Sequence, residues 1–279
     1  MNHCVIMTVY KNADHINRLI KTLPLNWGIY IHIDKKSAIQ ESDIDSRAKV
    51  IKKWKIYWGS INHLKAVLDL LKLSLIDNCG FNYYHIISGQ DYLATSPDKF
   101  DSILGNKNDI YLDYFDIPYI KWACWGGGDW IYQKRSLALF ADVRYGVARR
   151  INNLVSGFQV KFGLLQRLPS YKLYGGPLYC SLTKEAVEEI LNSNITAHLL
   201  KHLKFSLCGE EIFFQTILMN SPLRNKIKGN NLRYVDWSVE VPPKVLHIED
   251  YDKIVDKNFL FCRKIEYPQS LPLLEKFNF

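Results

Sequence analysis

CVIMTVYKNADHINRLIKTLPLNWGIYIHIDKKS, residues 4–37, decides the fold. CVIMTVY (4–10) is short, apolar and β-branched, the composition of a buried strand. Asn12 and Asp14 supply turn or N-cap chemistry, and HINRLIKTL (15–23) then repeats apolar residues at helical spacing through Ile16, Leu19, Ile20 and Leu23. WGIYIHIDKKS (27–37) alternates as a second strand and ends in Asp34. Strand, helix and strand in this order form the unit of a parallel sheet.

The pattern continues outward. KIYWG (55–59) reads as a third strand, and INHLKAVLDLLKLSLIDN (61–78) as a long amphipathic helix stopping near Asn78 and Gly80. NYYHIIS (82–88) is a fourth strand. SPDKFDSIL (96–104) is a helix with Ser96 as N-cap and Pro97 in its first position. The first 105 residues therefore run β-α-β-β-α-β-α, an open, mostly parallel sheet covered by helices. Ligands in such sheets bind beyond the carboxyl ends of the strands, which puts Val9, Tyr10, Asp34 and SGQDY (88–92) on one rim. Neither GxGxxG nor GxxxxGK[ST] occurs, so neither a dinucleotide fold nor a P-loop is supported.

Residues 106–170 are less regular. ACWGGGDW (123–130), between Trp122, Trp125 and Trp130, is either a lid over a ligand or a tight turn under an aromatic cluster. Arg144, Arg149 and Arg150 fall on a helix. YGGPLYCS (174–181) is a glycine turn into a strand, and TKEAVEEILNSN (183–194) is a helix capped by Thr183. GEEIFFQTILMN (209–220) is the next helix, LRYVDWS (232–238) a strand, and KNFLFCRKIEY (257–267) closes the domain.

The net charge of +8 calls for an anionic partner, but the basic residues come in pairs such as Lys35-Lys36 and Arg149-Arg150. With no longer basic run, a nucleic-acid tail is excluded; a phosphate-bearing small molecule and an anionic membrane surface fit equally well. The 37 aromatic residues (17 Tyr, 13 Phe, 7 Trp) suit stacking on sugar faces as well as core filling. Six scattered cysteines without CxxC argue against a zinc site or a disulfide scaffold and for reduced thiols in a cytoplasm. His32, His63 and His85 form no HExxH pattern and read as core or rim residues.

Six stretches in one order resemble the core-2/I-branching N-acetylglucosaminyltransferases and peptide xylosyltransferases, glycosyltransferase family 14. They are IHIDKKS (31–37), YWGSINHLKAVLDLL (57–71), YYHIISGQDYLATSPDKF (83–100), LYGGPLYCSLTKEAV (173–187), GEEIFFQTI (209–217) and NFLFCRKI (258–265). The middle region, where the family binds acceptor, is not matched. The resemblance implies an α/β, GT-A glycosyltransferase fold: one catalytic domain over 1–279 with a Rossmann-like, mostly parallel sheet flanked by helices. Residues 1–105 would form its nucleotide-sugar half and 106–279 its acceptor and catalytic half. It further implies inverting transfer from a UDP-sugar to a saccharide or lipid-linked saccharide, with no metal cofactor. The sequence shows no stem or membrane anchor, so the expectation is a bacterial-type enzyme of surface polysaccharide synthesis, cytoplasmic and in peripheral contact with anionic membrane.

Residue by residue, the resemblance makes Glu211 the catalytic base and Glu210 its acidic neighbour at the substrate. Acidic residues are also common in first helical turns, so a purely capping role is the competing reading. Lys264, with Arg263, matches a tail motif that contacts the diphosphate, and Arg233 aligns with a second diphosphate cation. Fixed cations there stabilise the charge that develops on the leaving group. Asp34 and Asp91 match acidic positions beside the donor, and Val9 and Tyr10 line the base pocket. Asp-x-Asp triplets at Asp43/Asp45 and Asp250/Asp252 do not follow apolar strands, so no metal ligand is assigned. Asp113, Trp122 and Trp237 are candidate acceptor contacts, with core packing the alternative for Trp237. A non-catalytic carbohydrate-binding protein on the same fold is the rival function. A glycoside hydrolase needs two facing carboxylates, whereas adjacent helical residues point about 100° apart.

Overall fold

The computed structural model describes residues 1–240, 243–277 and 279; the side chains of Cys124 and Trp125 lie outside the described part. In chain order, the first elements are β1 (His3–Val9), α1 (Ala13–Thr22), β2 (Gly28–Ile33), β3 (Lys49–Ile51), α2 (Ile61–Ile76), β4 (Tyr83–Ser88), β5 (Asp91–Leu93) and α3 (Phe100–Leu104). They are followed by β6 (Phe115–Asp116), α4 (Asp129–Gln133), α5 (Gly146–Lys161), β7 (Tyr174–Gly175), β8 (Ser181–Thr183), α6 (Lys184–Asn192) and α7 (Asn194–His202). The last are α8 (Glu210–Met219), β9 (Arg233–Val235), α9 (Tyr251–Ile254), β10 (Phe261–Arg263) and α10 (Leu271–Phe277).

The main sheet has the order β3-β2-β1-β4-β8, parallel except for β8. All seven residues of β1 are buried, as a central strand covered on both faces requires. One face packs on α2, α6 and α8 through Leu64, Leu71, Val187, Phe213 and Ile217. The other packs on α1, α3 and α10 through Ile16, Leu19, Phe100 and Leu274. Each such side chain withdrawn from water contributes roughly 1.5–3 kcal/mol before entropy is subtracted. This is the α/β, GT-A-like architecture expected. Strand β8 comes from beyond residue 105, and a second sheet, β5-β10-β9, likewise joins the two parts of the chain.

The third strand is misplaced by the sequence reading: β3 is Lys49–Ile51, and the segment around 55–59 is an extended loop. That loop spends its backbone on the end of β2 instead of on a ladder. Lys35 N donates to Trp54 O at 2.9 Å and Ile56 N to Asp34 Oδ1 at 3.1 Å. Thr183 caps α6 as expected, accepting from Ala186 N, whereas Asn12 and Ser96 make no side-chain cap bond. Arg149 and Arg150 lie on α5, but Arg144 precedes it.

The glycine segment forms the end of a 3-10 helix, Ile120–Gly128, that leads directly into α4. Gly127 has φ +71, and a Cβ there would lie 2.6 Å from Pro118 Cβ. Trp122 packs edge-on to Phe115, ring centroids 4.6 Å apart, and joins the core around α8.

Candidate active site

The carboxyl ends of β1 and β4 lie side by side, and β1 continues into α1 while β4 turns into β5, the crevice where open α/β sheets bind ligands. Val9 is buried there and Tyr10 is exposed; the Tyr10 hydroxyl donates to Gln90 Oε1 at 3.4 Å. Asp34 is buried, accepting from Lys36 Nζ at 2.6 Å and from the amides of Lys36 and Ile56. Its oxygens thus hold the rim loop in place.

Asp91 is fully buried. Its Oδ2 accepts from Ser88 N at 2.6 Å, and its Oδ1 lies 3.8 Å from Arg263 Nε across the β5–β10 register. Arg263 stacks over Tyr179, Cζ 4.0 Å from the ring centroid, and its Nη1 has no hydrogen-bond partner among the described residues. Lys264 follows, half-buried, with its ammonium unpartnered among the described residues. Burial depresses its pKa, and the neighbouring charges of Lys11, Arg263 and Arg144 add to the depression against Glu266. Crowded cations with free donors form a site that an anion would relieve.

The first turn of α8 is linked to Thr8 on β1 through Glu210 and His63; the helix is buried at nine of its ten positions, and the exception is Glu211. A helix buried all round is a core helix, and in this one Glu211, in the first turn, is only partly covered. Cys208, with φ +57, turns the chain so that Glu211 N donates to Cys208 O at 3.0 Å. Gly176 N donates to Glu211 O at 2.9 Å, and a Cβ on Gly176 would lie 2.3 Å from Asp113 O. Only glycine lets the chain after β7 pass this close to the Asp113 backbone. The Glu211 carboxyl has no hydrogen-bond or ion-pair partner among the described residues. Burial, then the charge of Glu210, raises its pKa to about 8. Glu210 is buried, with Oε1 3.5 Å from His63 Nδ1, and His63 Nε2 reaches Thr8 Oγ1 at 3.1 Å.

A family model described as Core-2/I-Branching enzyme matches residues 6–257. The chain belongs to the Core-2/I-Branching enzyme family. It is also 22% identical over 240 residues to xylosyltransferase 2 of Canis lupus familiaris, a match covering 81% of this chain and 25% of that protein. The chain thus spans about a quarter of the length of the curated relative it matches.

In this Core-2/I-Branching chain Arg233 sits apart from the rim. It is buried, with Nη1 donating to Ser181 Oγ at 2.9 Å and Asn231 O at 2.7 Å, and Nη2 to Cys180 O at 2.7 Å. With both Nη groups hydrogen-bonded, its buried Nε without a partner among the described residues, its pKa pressed down to about 10 by burial, and Phe261 against its face, it braces β4, β8 and β9. This is where the structure places the residue that the resemblance makes a second diphosphate cation. Its bond to Ser181 starts a buried relay in which Ser181 donates to His85 Nδ1 at 2.7 Å. His85 Nε2 then donates to His3 Nδ1, and His3 Nε2 to Asp101 Oδ1, both at 2.9 Å. The proton positions are assigned as the one arrangement that satisfies every link with neutral imidazoles.

Asp113 accepts from Asn231 N at 3.1 Å, and burial raises its pKa. Trp122 is part of the Phe115 cluster. Trp237 is 64% exposed, so the core alternative for it is overturned. Asp43 caps its own turn through Gln40 N, and Asp250 is buried against Lys244 at 2.6 Å, so neither carboxylate is free at the rim. Tyr179 and His63, which contact the cation patch and Glu210, were not singled out as site residues; a lone aromatic in an apolar run carries no signal that distinguishes it from core.

Proposed function

We propose that this chain transfers a sugar from a UDP-sugar to a saccharide acceptor with inversion at the anomeric carbon and without a divalent cation. The acceptor is a lipid-linked saccharide of bacterial surface polysaccharide synthesis. Family membership supports glycosyl transfer, and one observation carries the assignment of roles: the one residue of α8 that is not buried is a carboxylate without a partner among the described residues, next to Glu210, which His63 links to Thr8 near the carboxyl end of β1. Residues 1–105 contribute the walls around the nucleoside, through Val9, Tyr10 and Asp34. The rest contributes the base and the cations.

The acceptor hydroxyl attacks the anomeric carbon as Glu211 takes its proton, and the bond from that carbon to the phosphate oxygen breaks with its electron pair leaving on UDP. Lys264 and the free Nη1 of Arg263 meet the charge that accumulates on the diphosphate. The base contributes about 10²–10⁴-fold.

The test is a screen of UDP-N-acetylglucosamine, UDP-xylose and UDP-glucuronic acid for binding and turnover in EDTA, with Glu211→Gln beside the unaltered chain. Transfer should fall by about 10²–10⁴-fold in the variant while UDP binding persists. Absence of any UDP-sugar signal would sink the donor assignment. Loss of activity on chelation would sink the metal-free one, and undiminished transfer by the variant would remove Glu211 from the mechanism.

A further inference from the structure

Helix α5 is folded with its polarity inverted. Its polar residues Asn152 and Gln159 are buried against the protein. Asn152 Oδ1 accepts from Ser136 Oγ at 2.8 Å and Leu137 N at 3.0 Å; Gln159 Oε1 accepts from Arg135 N at 2.8 Å, and its Nε2 donates to Arg135 O at 2.9 Å. Its apolar residues Val147, Ile151, Leu154 and Phe158 point to solvent, exposed by 69, 45, 73 and 55%. Their spacing of four, three and four places them within roughly 60° of one another around the axis, a continuous stripe along a helix about 24 Å long. Phe162 extends it, its ring centroid 4.3 Å from that of Phe158. A helix serving only the protein core would turn this stripe inward.

Charge indicates what covers it. No acidic residue occurs between Asp142 and Glu185, while Arg144, Arg149, Arg150, Lys161, Arg167 and Lys172 all fall in that interval. On the helix, Arg150 and Lys161 flank the stripe, where long cationic stems can lie along apolar surface with the charge held out. Arg149 turns toward a cavity of about 530 Å³ that it lines together with Lys134 and Arg135. A second copy seated on the same helix would bring these cations together with no carboxylate on the helix to offset them. An anionic surface with an apolar interior satisfies both features at once.

We propose that α5 lies in the plane of an anionic lipid bilayer, with Val147, Ile151, Leu154 and Phe158 in the acyl boundary and Arg150 and Lys161 among the headgroups. The proposal stands apart from the transferase reading, because binding to lipid needs neither donor nor acceptor.

The experiment is co-sedimentation of the full chain with vesicles of phosphatidylcholine alone or containing about one third phosphatidylglycerol, at low and high salt. The chain should pellet with the anionic vesicles. L154Q/F158Q should weaken that binding roughly tenfold or more, with unchanged thermal unfolding because both residues are exposed. R150Q/K161Q should weaken it and flatten its salt dependence. A chain that stays in the supernatant with anionic vesicles would overturn the proposal, as would binding unaffected by L154Q/F158Q. A lipid-free dimer dissolved by L154Q/F158Q would assign the stripe to a second copy and overturn it equally.

Discussion

The carboxylate of Glu210 lies 3.5 Å from the imidazole of His63, and this contact between α8 and α2 anchors the first of two consecutive glutamates. Glu211, the next residue, is left with a carboxyl that no neighbour among the described residues neutralises. Two acids one residue apart thus have different surroundings and different jobs.

Transfer should depend on pH through Glu211. Burial and then Glu210 hold its pKa at about 8, so the basic form is the minor one at pH 7 and grows as pH rises. In the free enzyme kcat/KM should climb with pH and level off above about 8. Glu210→Gln removes the second cause, and the rising limb should move to lower pH. A profile that is flat from pH 6 to 9 would show that Glu211 does not titrate in the rate-limiting step.

Stability should respond in the opposite sense. Below pH 4.5 Glu211 is protonated whether the chain is folded or not; between 4.5 and about 8 the unfolded chain ionises first. Stability contributed by this group therefore falls as pH rises through that window, by no more than about 1.4 kcal/mol per pH unit. Glu211→Gln should match the unaltered chain near pH 4.5 and unfold at a higher temperature than it at pH 8. Calorimetry at the two pH values decides. A merely capping glutamate would show the reverse, its loss destabilising the helix at neutral pH.

Arg233 and Lys264 should separate cleanly. Arg233→Met strands Ser181 Oγ and the carbonyls of Cys180 and Asn231, and urea unfolding should show a loss of about 2–5 kcal/mol. Lys264→Met should leave stability within about 1 kcal/mol and weaken UDP binding by roughly 10–100-fold, measured by calorimetric titration. Equal destabilisation by the two would erase the distinction between brace and ligand.

The parts of the fold legible in the sequence are those whose pattern is local. β1 and β4 are largely apolar runs, β2 alternates, α2 has length and period, and Thr183 announces α6. β3 is three residues, Lys49–Ile51, of an edge strand with a charged start, too short to carry a period, while the neighbouring KIYWG run is extended for a different purpose. α7 went unread because it begins two residues after α6 ends, so one capped helix masked the next. At the site, motif alone singled out Glu211, Lys264 and Arg233. The burial of Arg233 was not legible there, because its partners come from β4 and β8, up to 147 positions away in the chain. Whether a charged residue ends in the rim or the core is settled by such distant neighbours.

The Arg144 guanidinium lies over both Trp58 and Tyr145, at 5.6 and 5.0 Å from the ring centroids, two residues before α5 begins its first turn. Trp58 in turn belongs to the loop whose Gly59 carbonyl accepts from Cys208 N, two residues ahead of Glu210. A chain resting on α5 would keep its reaction centre close to the plane in which lipid-carried acceptors drift. Its speed would then follow the mole fraction of acceptor within that plane, and diluting the plane with inert lipid would slow it even at constant bulk concentration.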